Sequence, residues 1–255
     1  KNPLVRRFRA AAQGKEAGVV VADGFRLAQE ALAAGLTPVE FAWSPKLLER
    51  PGGEELLARL QRTGATEQSC SDQVVARLSH LNTHQGVAVV VRRPRTQLED
   101  LVSQEVALVV VAAQVQDPGN LGALIRTAEA AGATGFLAVE GSADPYRDKA
   151  VRGSMGSVFR LPCVAGVSVE AAVAFLGGSD VRVVVAERDT GEMFWDTDLC
   201  GPVALVMGNE SGGVPAAFGD IAAARVRIPI QSPVDSLNVA VAAGVLLFEA
   251  RRQRS

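Results

Sequence analysis

The sequence predicts an α/β protein whose C-terminal part is a doubly wound parallel sheet and whose N-terminal part is a smaller α/β domain. Valine-rich runs alternate with amphipathic stretches along the chain, which is the pattern of strands separated by helices. The run at 106–113 is apolar without interruption, as parallel strands buried on both faces are. A polar, charged stretch separates two such series. We therefore expect a domain at 1–93, a linker at 94–105 and a domain at 106–255.

The first domain consists of short strands and helices with clear end signals. A strand in "AGVVVADG" leads into a helix whose apolar residues cluster on one face and which ends at Gly35. A second strand, in "VEFAWSP", ends at Pro45. Helices in "GGEELLARLQRTG" and "SDQVVARLSHL" follow, with Gly64 ending the first and Ser71 placed to cap the second. The buried strand "GVAVVVRR" completes the domain.

The second domain alternates apolar strands with helices. The predicted strands are 106–113, 135–139, 181–186, 203–207 and 225–229. The predicted helices are 120–131 and 237–252, and residues 144–156 are helix or loop. Strands connected in this way form a parallel sheet that helices cover on both faces.

Composition limits the classes of function. The net charge of −2 argues against a wholly basic nucleic-acid coat, yet basic residues cluster at 1–15, 92–95 and 251–254. Such clusters suffice for phosphate contacts, although solvated helix ends give the same pattern. No long apolar run suggests a membrane span, and three cysteines without a Cys-x-x-Cys pair favour a reducing cytoplasm. His80 and His84 have the i, i+4 spacing of metal ligands but no third ligand nearby, so we expect no metal.

A polar loop follows the first strand of the second domain. It runs from Asp117 to Gly122 and opens a helix that carries Asn120 and, six residues later, Arg126. The loop lacks the glycine spacing of a dinucleotide site and the lysine of a P-loop. A Rossmann dehydrogenase is therefore disfavoured.

Two further loops follow later strands. "MGNESGGV" holds Glu210 among glycines, which let a backbone approach a ligand or another chain segment closely. "IPIQSPVDSLNV" places Ser236 and Asn238 at the start of the last helix, whose free N–H groups form a polar surface. Taken alone, each motif also has a simple structural explanation. The first is a turn followed by an exposed helix arginine, the second is a glycine-rich turn, and the third is a helix cap. Together, three such loops at strand ends predict one composite catalytic crevice.

These motifs together resemble the SpoU (TrmH) family of RNA ribose 2′-O-methyltransferases, within the SPOUT superfamily. The resemblance covers essentially the whole chain: "DPGNLGALIRTAEAAG", "LVMGNESGGV" and "IPIQSPVDSLNVAVAAG" occur in the family's order, and "KAVRGSMGSVFRLP" matches the segment between the first two. The front part, with "VVADGFRLAQEAL" and "THQGVAVVV", is similar to the family's ribosomal-protein-like RNA-binding domain. The resemblance implies a deep trefoil knot in the second domain and a homodimer.

The resemblance also implies a cofactor and a set of site residues. The cofactor is S-adenosyl-L-methionine, held in the knotted loops largely by backbone. The positions that match the family's cofactor contacts, or lie beside them, are Met207, Gly208, Asn209, Ile228 and Leu237. The implied catalytic residues are Arg126, Asn120, Glu210, Ser236 and Asn238.

The implied reaction moves a methyl group from a sulfonium to a ribose 2′-hydroxyl of structured RNA, with rRNA expected ahead of tRNA. Two hypotheses stay open: a tRNA ribose methyltransferase, and a non-catalytic RNA-binding or ribosome-assembly factor that keeps the fold. Arg126 is either the base or a clamp for the target phosphate, since a guanidinium is ordinarily always protonated. At one position the chain departs from the family: Ser232, followed by Pro233, stands where the family usually has glycine.

Overall fold

A computed structural model describes residues 2–209 and 212–255. The chain divides into two compact units, Lys1–Arg95 with Tyr146–Arg160, and Thr96–Pro145 with Leu161–Ser255. The boundary at 95 lies inside the stretch that the sequence predicts as a linker. The segment Tyr146–Arg160 differs from the sequence-based domain division, because it belongs to the first unit rather than to the second.

The described residues form strands and helices in alternation. The strands are β1 (Val19–Asp23), β2 (Pro38–Trp43), β3 (Thr66–Ser69), β4 (Val87–Arg92), β5 (Leu108–Ala112), β6 (Gly135–Val139), β7 (Cys163–Val167), β8 (Arg182–Glu187), β9 (Glu192–Met193), β10 (Val203–Met207) and β11 (Ala224–Arg227). The helices are α1 (Pro3–Ala12), α2 (Phe25–Ala33), α3 (Gly53–Gln61), α4 (Asp72–Leu78), α5 (Pro118–Ala131), α6 (Asp148–Ser154), α7 (Val169–Gly177), α8 (Ala216–Asp220) and α9 (Val239–Gln253).

The first unit is built on a four-stranded mixed sheet in the order β1-β4-β2-β3. β4 pairs antiparallel with β1 and β2, and β3 adds parallel to β2. α1, which was not predicted, buries Phe8, Ala11 and Ala12 against Val21 and Val90 of the sheet. Its apolar residues have helical spacing. Because arginines lie between them, the sequence was interpreted as a cluster of basic residues and not as a helix. β3 was also missed, because this polar, largely exposed edge strand lacks apolar alternation.

The second unit is built on a seven-stranded sheet in which every pair of neighbours is parallel, in the order β7-β6-β5-β10-β8-β11-β9. One face packs on α7 and α8 through Val109, Val111, Val185, Val206, Leu176 and Phe218. Alternate residues point to the opposite face of a strand. They are buried too, as Leu108, Val110 and Leu205 show. The predicted parallel sheet, covered on both faces, is confirmed.

Four elements of this unit escaped prediction: β7, α7, β9 and α8. β7 is a partly exposed edge strand that contains a glycine, and β9 and α8 are too short to show a period. No helix of the described residues is long and apolar enough to cross a membrane.

The C-terminal end of α9 is fixed to the segment that leads into β10. Gln253 accepts a hydrogen bond from Leu199 N at 2.7 Å and donates one to the carbonyl of Thr197 at 3.0 Å. Arg254 donates to the carbonyls of Leu199 at 2.9 Å and Gly201 at 2.6 Å. These bonds hold the helix at the end opposite to the one that carries Asn238.

Replacing Arg254 with alanine should lower the free energy of unfolding by about 2 kcal/mol, because two carbonyl groups lose a charged donor. Chemical denaturation monitored by circular dichroism measures the change. Arg252→Ala is the matched control, since that arginine is exposed and pairs only with Glu249 of the same helix among the residues described. It should leave the free energy of unfolding close to that of the parent, because an exposed ion pair contributes little to stability. Equal losses in both variants would contradict the assigned role of Arg254.

Candidate functional site

A cavity of about 410 Å³ lies at the carboxyl ends of β8, β10 and β11. In an open parallel sheet this edge is where ligands bind, near the point at which the strand order reverses. The order reverses here because β5, β6 and β7 extend to one side while β8 pairs on the other side of β10. The cavity is lined by Ala186–Thr190, Met207–Asn209, Gly212, Gly213, Val226, Ile228, Ile230, Ser236, Leu237, Val239, Ala242 and Leu246.

All five positions predicted to contact a cofactor line this cavity. They are Met207, Gly208, Asn209, Ile228 and Leu237. Their side chains are mostly apolar, and the glycine-rich loop that follows β10 supplies backbone groups. The structure thus brings these residues together, and their contact with a cofactor stays a prediction.

The loop after β10 is closed by its own backbone. Asn209 and Gly213 exchange N–H···O hydrogen bonds at 3.1 and 2.9 Å, and the Asn209 side chain accepts from Gly212 N at 3.3 Å. A methyl group on Gly208 would lie 2.7 Å from Val214 N and closer still to the carbonyl group of Gly213. Only glycine therefore permits this closure at position 208. Glu210, a predicted catalytic residue of this loop, lies outside the described residues.

Gly208→Ala should weaken binding of S-adenosylhomocysteine by tenfold or more, about 1.4 kcal/mol, because the added methyl forces this cavity wall apart. Gly212→Ala is the matched control: it adds the same methyl to the same loop, where no atom lies within 4 Å. It should keep affinity within about threefold of the parent. Isothermal titration calorimetry measures both. Unchanged affinity in Gly208→Ala would show that closure of the loop does not shape the cavity.

The segment after β11 brings Ser236 and Leu237 to the cavity wall. Asn238 follows as the N-cap of α9, and its Oδ1 accepts from Ala240 N at 3.0 Å. Ser232, the residue that departs from the family, lines a second cavity with Arg188, Arg227 and Asp235. The second cavity shares Arg188, Asp189, Ile228 and Ile230 with the first.

The N-termini of α5 and α9 are joined by an amide–amide hydrogen bond. Asn238 Nδ2 donates to Asn120 Oδ1 at 2.9 Å. Asp117 caps α5 by accepting from Asn120 N at 2.9 Å. Because Asn238 uses its oxygen as the cap and its nitrogen as the donor, both ends of its amide are fixed. Asn120 and Asn238, 118 positions apart in sequence, therefore form a hydrogen-bonded pair that connects the two helix N-termini beside the cavity.

Arg126 lies on α5, six residues after Asn120, and its side chain is exposed. It does not line the 410 Å³ cavity. Within the described residues it makes no ion pair or side-chain hydrogen bond. The guanidinium is thus available to a ligand that arrives from solvent.

Sequence reasoning missed one wall of the cavity, the residues Glu187–Thr190 after β8. Glu187 pairs with Arg225 at 2.7 Å and Asp189 pairs with Arg188 at 3.0 Å, so the carboxylates of this wall have cationic partners. A signal was present: this loop, like the three that were singled out, follows an apolar parallel strand of the sheet.

The fold and the cavity define an α/β protein with a doubly wound parallel sheet and a ligand site at its carboxyl edge. Comparison with family models assigns residues 107–248 to the SpoU rRNA Methylase family and residues 22–97 to the RNA 2′-O ribose methyltransferase substrate-binding family. The chain belongs to the SpoU rRNA methylase family.

Relatives and solved structures agree with this assignment. The chain is 34% identical over 243 residues to the 23S rRNA (uridine(2479)-2′-O)-methyltransferase of Streptomyces viridochromogenes, covering 89% of this chain and 84% of that protein. It is 33% identical over 189 residues to the 23S rRNA (guanosine(2553)-2′-O)-methyltransferase of Bacillus subtilis, covering 74% of each chain. It superposes on an AdoMet-bound rRNA methyltransferase from Sinorhizobium meliloti with a TM-score of 0.88 and 33% identity, over 98% and 95% of the two chains.

Proposed function

We propose that this protein is an S-adenosyl-L-methionine-dependent methyltransferase that acts on a ribose 2′-hydroxyl of ribosomal RNA. The observation that carries the proposal is the cavity at the ends of β8, β10 and β11, in a chain that belongs to a family of RNA methylases. Relatives that modify 23S rRNA favour rRNA over tRNA as the substrate.

The cavity suits this cofactor in size and chemistry. Its volume of about 410 Å³ is in the range of small-molecule sites. Apolar side chains such as Ile228, Leu237 and Leu246 form walls for a flat base, while the loop closed at Asn209 and Gly213 offers backbone groups for hydrogen bonds. When bound, S-adenosylmethionine supplies an electrophilic methyl group on a positively charged sulfur.

The other residues of the candidate site have separate proposed roles in methyl transfer. The 2′-hydroxyl must be aligned with the methyl group and must lose one proton. We assign to Arg126, which is exposed and has no anionic partner among the residues described, the task of holding the phosphate of the target nucleotide and favouring loss of the hydroxyl proton. The Asn120–Asn238 pair orients the start of both helices, and Ser236 offers a hydroxyl to the nucleotide.

We propose further that the protein works as a homodimer through α9. Val241, Val245 and Phe248 lie at helical spacing on that helix, and Val241 and Phe248 keep 55% and 50% of their surface exposed. An apolar stripe of this kind on a charged surface is typical of a protein interface. Membership of the family also supports the deep trefoil knot in the second unit and a place in the cytoplasm.

The test is methyl transfer from radiolabelled S-adenosylmethionine to unmodified transcripts of bacterial 23S rRNA and of tRNA. The label should enter the 23S transcript, and mapping by alkaline hydrolysis should find one ribose resistant to cleavage. Label in tRNA alone would favour the tRNA hypothesis. Cofactor binding without transfer to any RNA would favour the non-catalytic assembly factor.

A further inference from the structure

The wall that follows β8 carries opposite charges side by side, and the composite site gives it no role. Arg188 and Asp189 line both the 410 Å³ cavity and the second cavity, so they lie where the two cavities meet. Among the residues that the structure describes, Arg188 is the one cation that lines the first cavity. An anionic group of a ligand in that cavity therefore has a single candidate partner among these side chains.

The guanidinium of Arg188 has donors available for a ligand. Its Nε donates to Asp189 Oδ2 at 3.0 Å, and its two terminal nitrogens donate to no other residue that the structure describes. The two side chains keep 58% and 75% of their surface exposed, so this ion pair contributes little by itself. Arg188 can therefore form two parallel hydrogen bonds to an incoming carboxylate without breaking a strong interaction.

Asp189 is the carboxylate of this wall that can accept from a ligand. Glu187, the other acid of the wall, is held by Arg225 at 2.7 Å. Asp189 uses Oδ2 for Arg188, whereas its Oδ1 accepts from no residue in the described part of the chain. The wall thus presents one cation and one anion together.

This pair of charges matches one end of S-adenosyl-L-methionine. The cofactor ends in an α-amino acid, in which a carboxylate and an ammonium group are attached to the same carbon. The adenine at the other end suits the apolar side chains of Ile228, Leu237 and Leu246 in the first cavity. A guanidinium binds a carboxylate through two donors, and an aspartate accepts from an ammonium group. The wall after β8 therefore fits the charged tail of the cofactor and not its base.

An RNA phosphate fits this wall less well. The stretch 187–198 holds five acids and a single cation, Arg188, and such a surface repels a polyanion. Asn120 and Arg126, which belong to the proposed nucleotide side of the site, follow β5, and β10 separates β5 from β8 in the sheet. The wall after β8 and the nucleotide side thus lie on opposite sides of β10.

We propose that Arg188 and Asp189 form the subsite for the amino-acid tail of S-adenosyl-L-methionine, in which Arg188 binds the carboxylate and Asp189 binds the ammonium group. The proposal rests on the proposed function and deepens it, because it takes this cofactor as the ligand of the first cavity. It adds two charged side chains to a site that the family resemblance describes as formed largely by backbone. The tail then lies where the two cavities meet.

The test compares S-adenosylhomocysteine with methylthioadenosine, which keeps the adenosine and the sulfur but lacks the amino-acid tail. Isothermal titration calorimetry on the full chain gives Kd for both ligands, by displacement where direct binding is weak. Arg188→Gln should raise Kd for S-adenosylhomocysteine about tenfold or more and leave Kd for methylthioadenosine within about twofold of the parent. Asp189→Asn should also raise Kd for S-adenosylhomocysteine alone, because the amide keeps the shape of the side chain but loses its charge.

The matched control is Arg182→Gln. Arg182 begins the same strand, β8, is exposed and pairs with Asp198, and it lines neither cavity. This variant should keep Kd for both ligands within about twofold of the parent.

Equal weakening of both ligands by Arg188→Gln, or parental Kd for both, overturns the inference. Binding of S-adenosylhomocysteine by the parent and transfer of methyl groups to RNA would still uphold the proposed function in that case. If the parent binds neither ligand, the proposed function fails and the inference fails with it.

Discussion

Arg126→Ala should reduce methyl transfer at least 100-fold, about 2.7 kcal/mol of transition-state stabilisation, with little change in cofactor affinity. The separation of effects follows from position: Arg126 is exposed on α5 and does not line the cavity proposed for the cofactor. Single-turnover transfer to the 23S transcript measures the first effect, and calorimetry with S-adenosylhomocysteine measures the second. Retention of more than about a tenth of the rate would falsify the assignment of Arg126 to the reaction.

Arg126→Lys separates charge from geometry. Lysine keeps a positive charge but loses the planar fork that holds a phosphate through two parallel hydrogen bonds. We expect the lysine variant to be nearly as inactive as the alanine variant. Substantial activity in the lysine variant would mean that charge alone is sufficient, and the clamp would then be a point charge.

Asn238→Asp should lower the rate of transfer at least tenfold, about 1.4 kcal/mol, while the protein stays folded. Aspartate caps a helix as well as asparagine does, so the hydrogen bond to Ala240 N survives. The bond to Asn120 does not survive, because a carboxylate has no hydrogen to donate and would face the Asn120 oxygen across 2.9 Å. The variant therefore breaks the bridge between α5 and α9 and leaves the cap intact.

Asn120→Asp is the control for this bridge. It keeps an acceptor opposite Asn238 Nδ2, so the hydrogen bond is retained with a charged oxygen. We expect it to be less impaired than Asn238→Asp, in rate and in melting temperature measured by differential scanning fluorimetry. The reverse order would indicate that Asn120 acts through its own amide nitrogen rather than as the acceptor of the bridge.

The sequence was sufficient to predict five of the seven strands that the described residues form in the second unit's sheet, all but β7 and β9, and the reason is physical. Strands buried on both faces must be continuously apolar, and β5 and β10 are. Elements that lie at an edge or are very short carry no such requirement, so β3 and β9 left no signal. α1 is a third case. Its apolar residues have helical spacing, but the arginines between them led to the interpretation of a basic cluster, and the helix was not predicted.

The site was predicted in part. The loops after β10 and β11 reach one cavity because parallel strands bring their carboxyl ends to the same edge. The hydrogen bond between Asn120 and Asn238 was not foreseeable from sequence, since it depends on how α5 and α9 pack. Membership of Tyr146–Arg160 in the first unit was hidden for the same reason: a long-range contact leaves no local pattern.

The chain passes from one unit to the other three times, after Arg95, after Pro145 and after Arg160. This has a consequence for anyone who builds chimaeras to redirect the protein to another RNA. A single junction near Arg95 would transplant most of the first unit but leave Val151, Val158 and Phe159 of the parent against a foreign surface. Exchanging Lys1–Arg95 together with Tyr146–Arg160 needs three junctions. It keeps the apolar surface of the second stretch in contact with its native surface on the first. Deleting residues 1–95 is the extreme case, because it uncovers that apolar segment altogether and should yield an aggregating protein rather than a minimal enzyme.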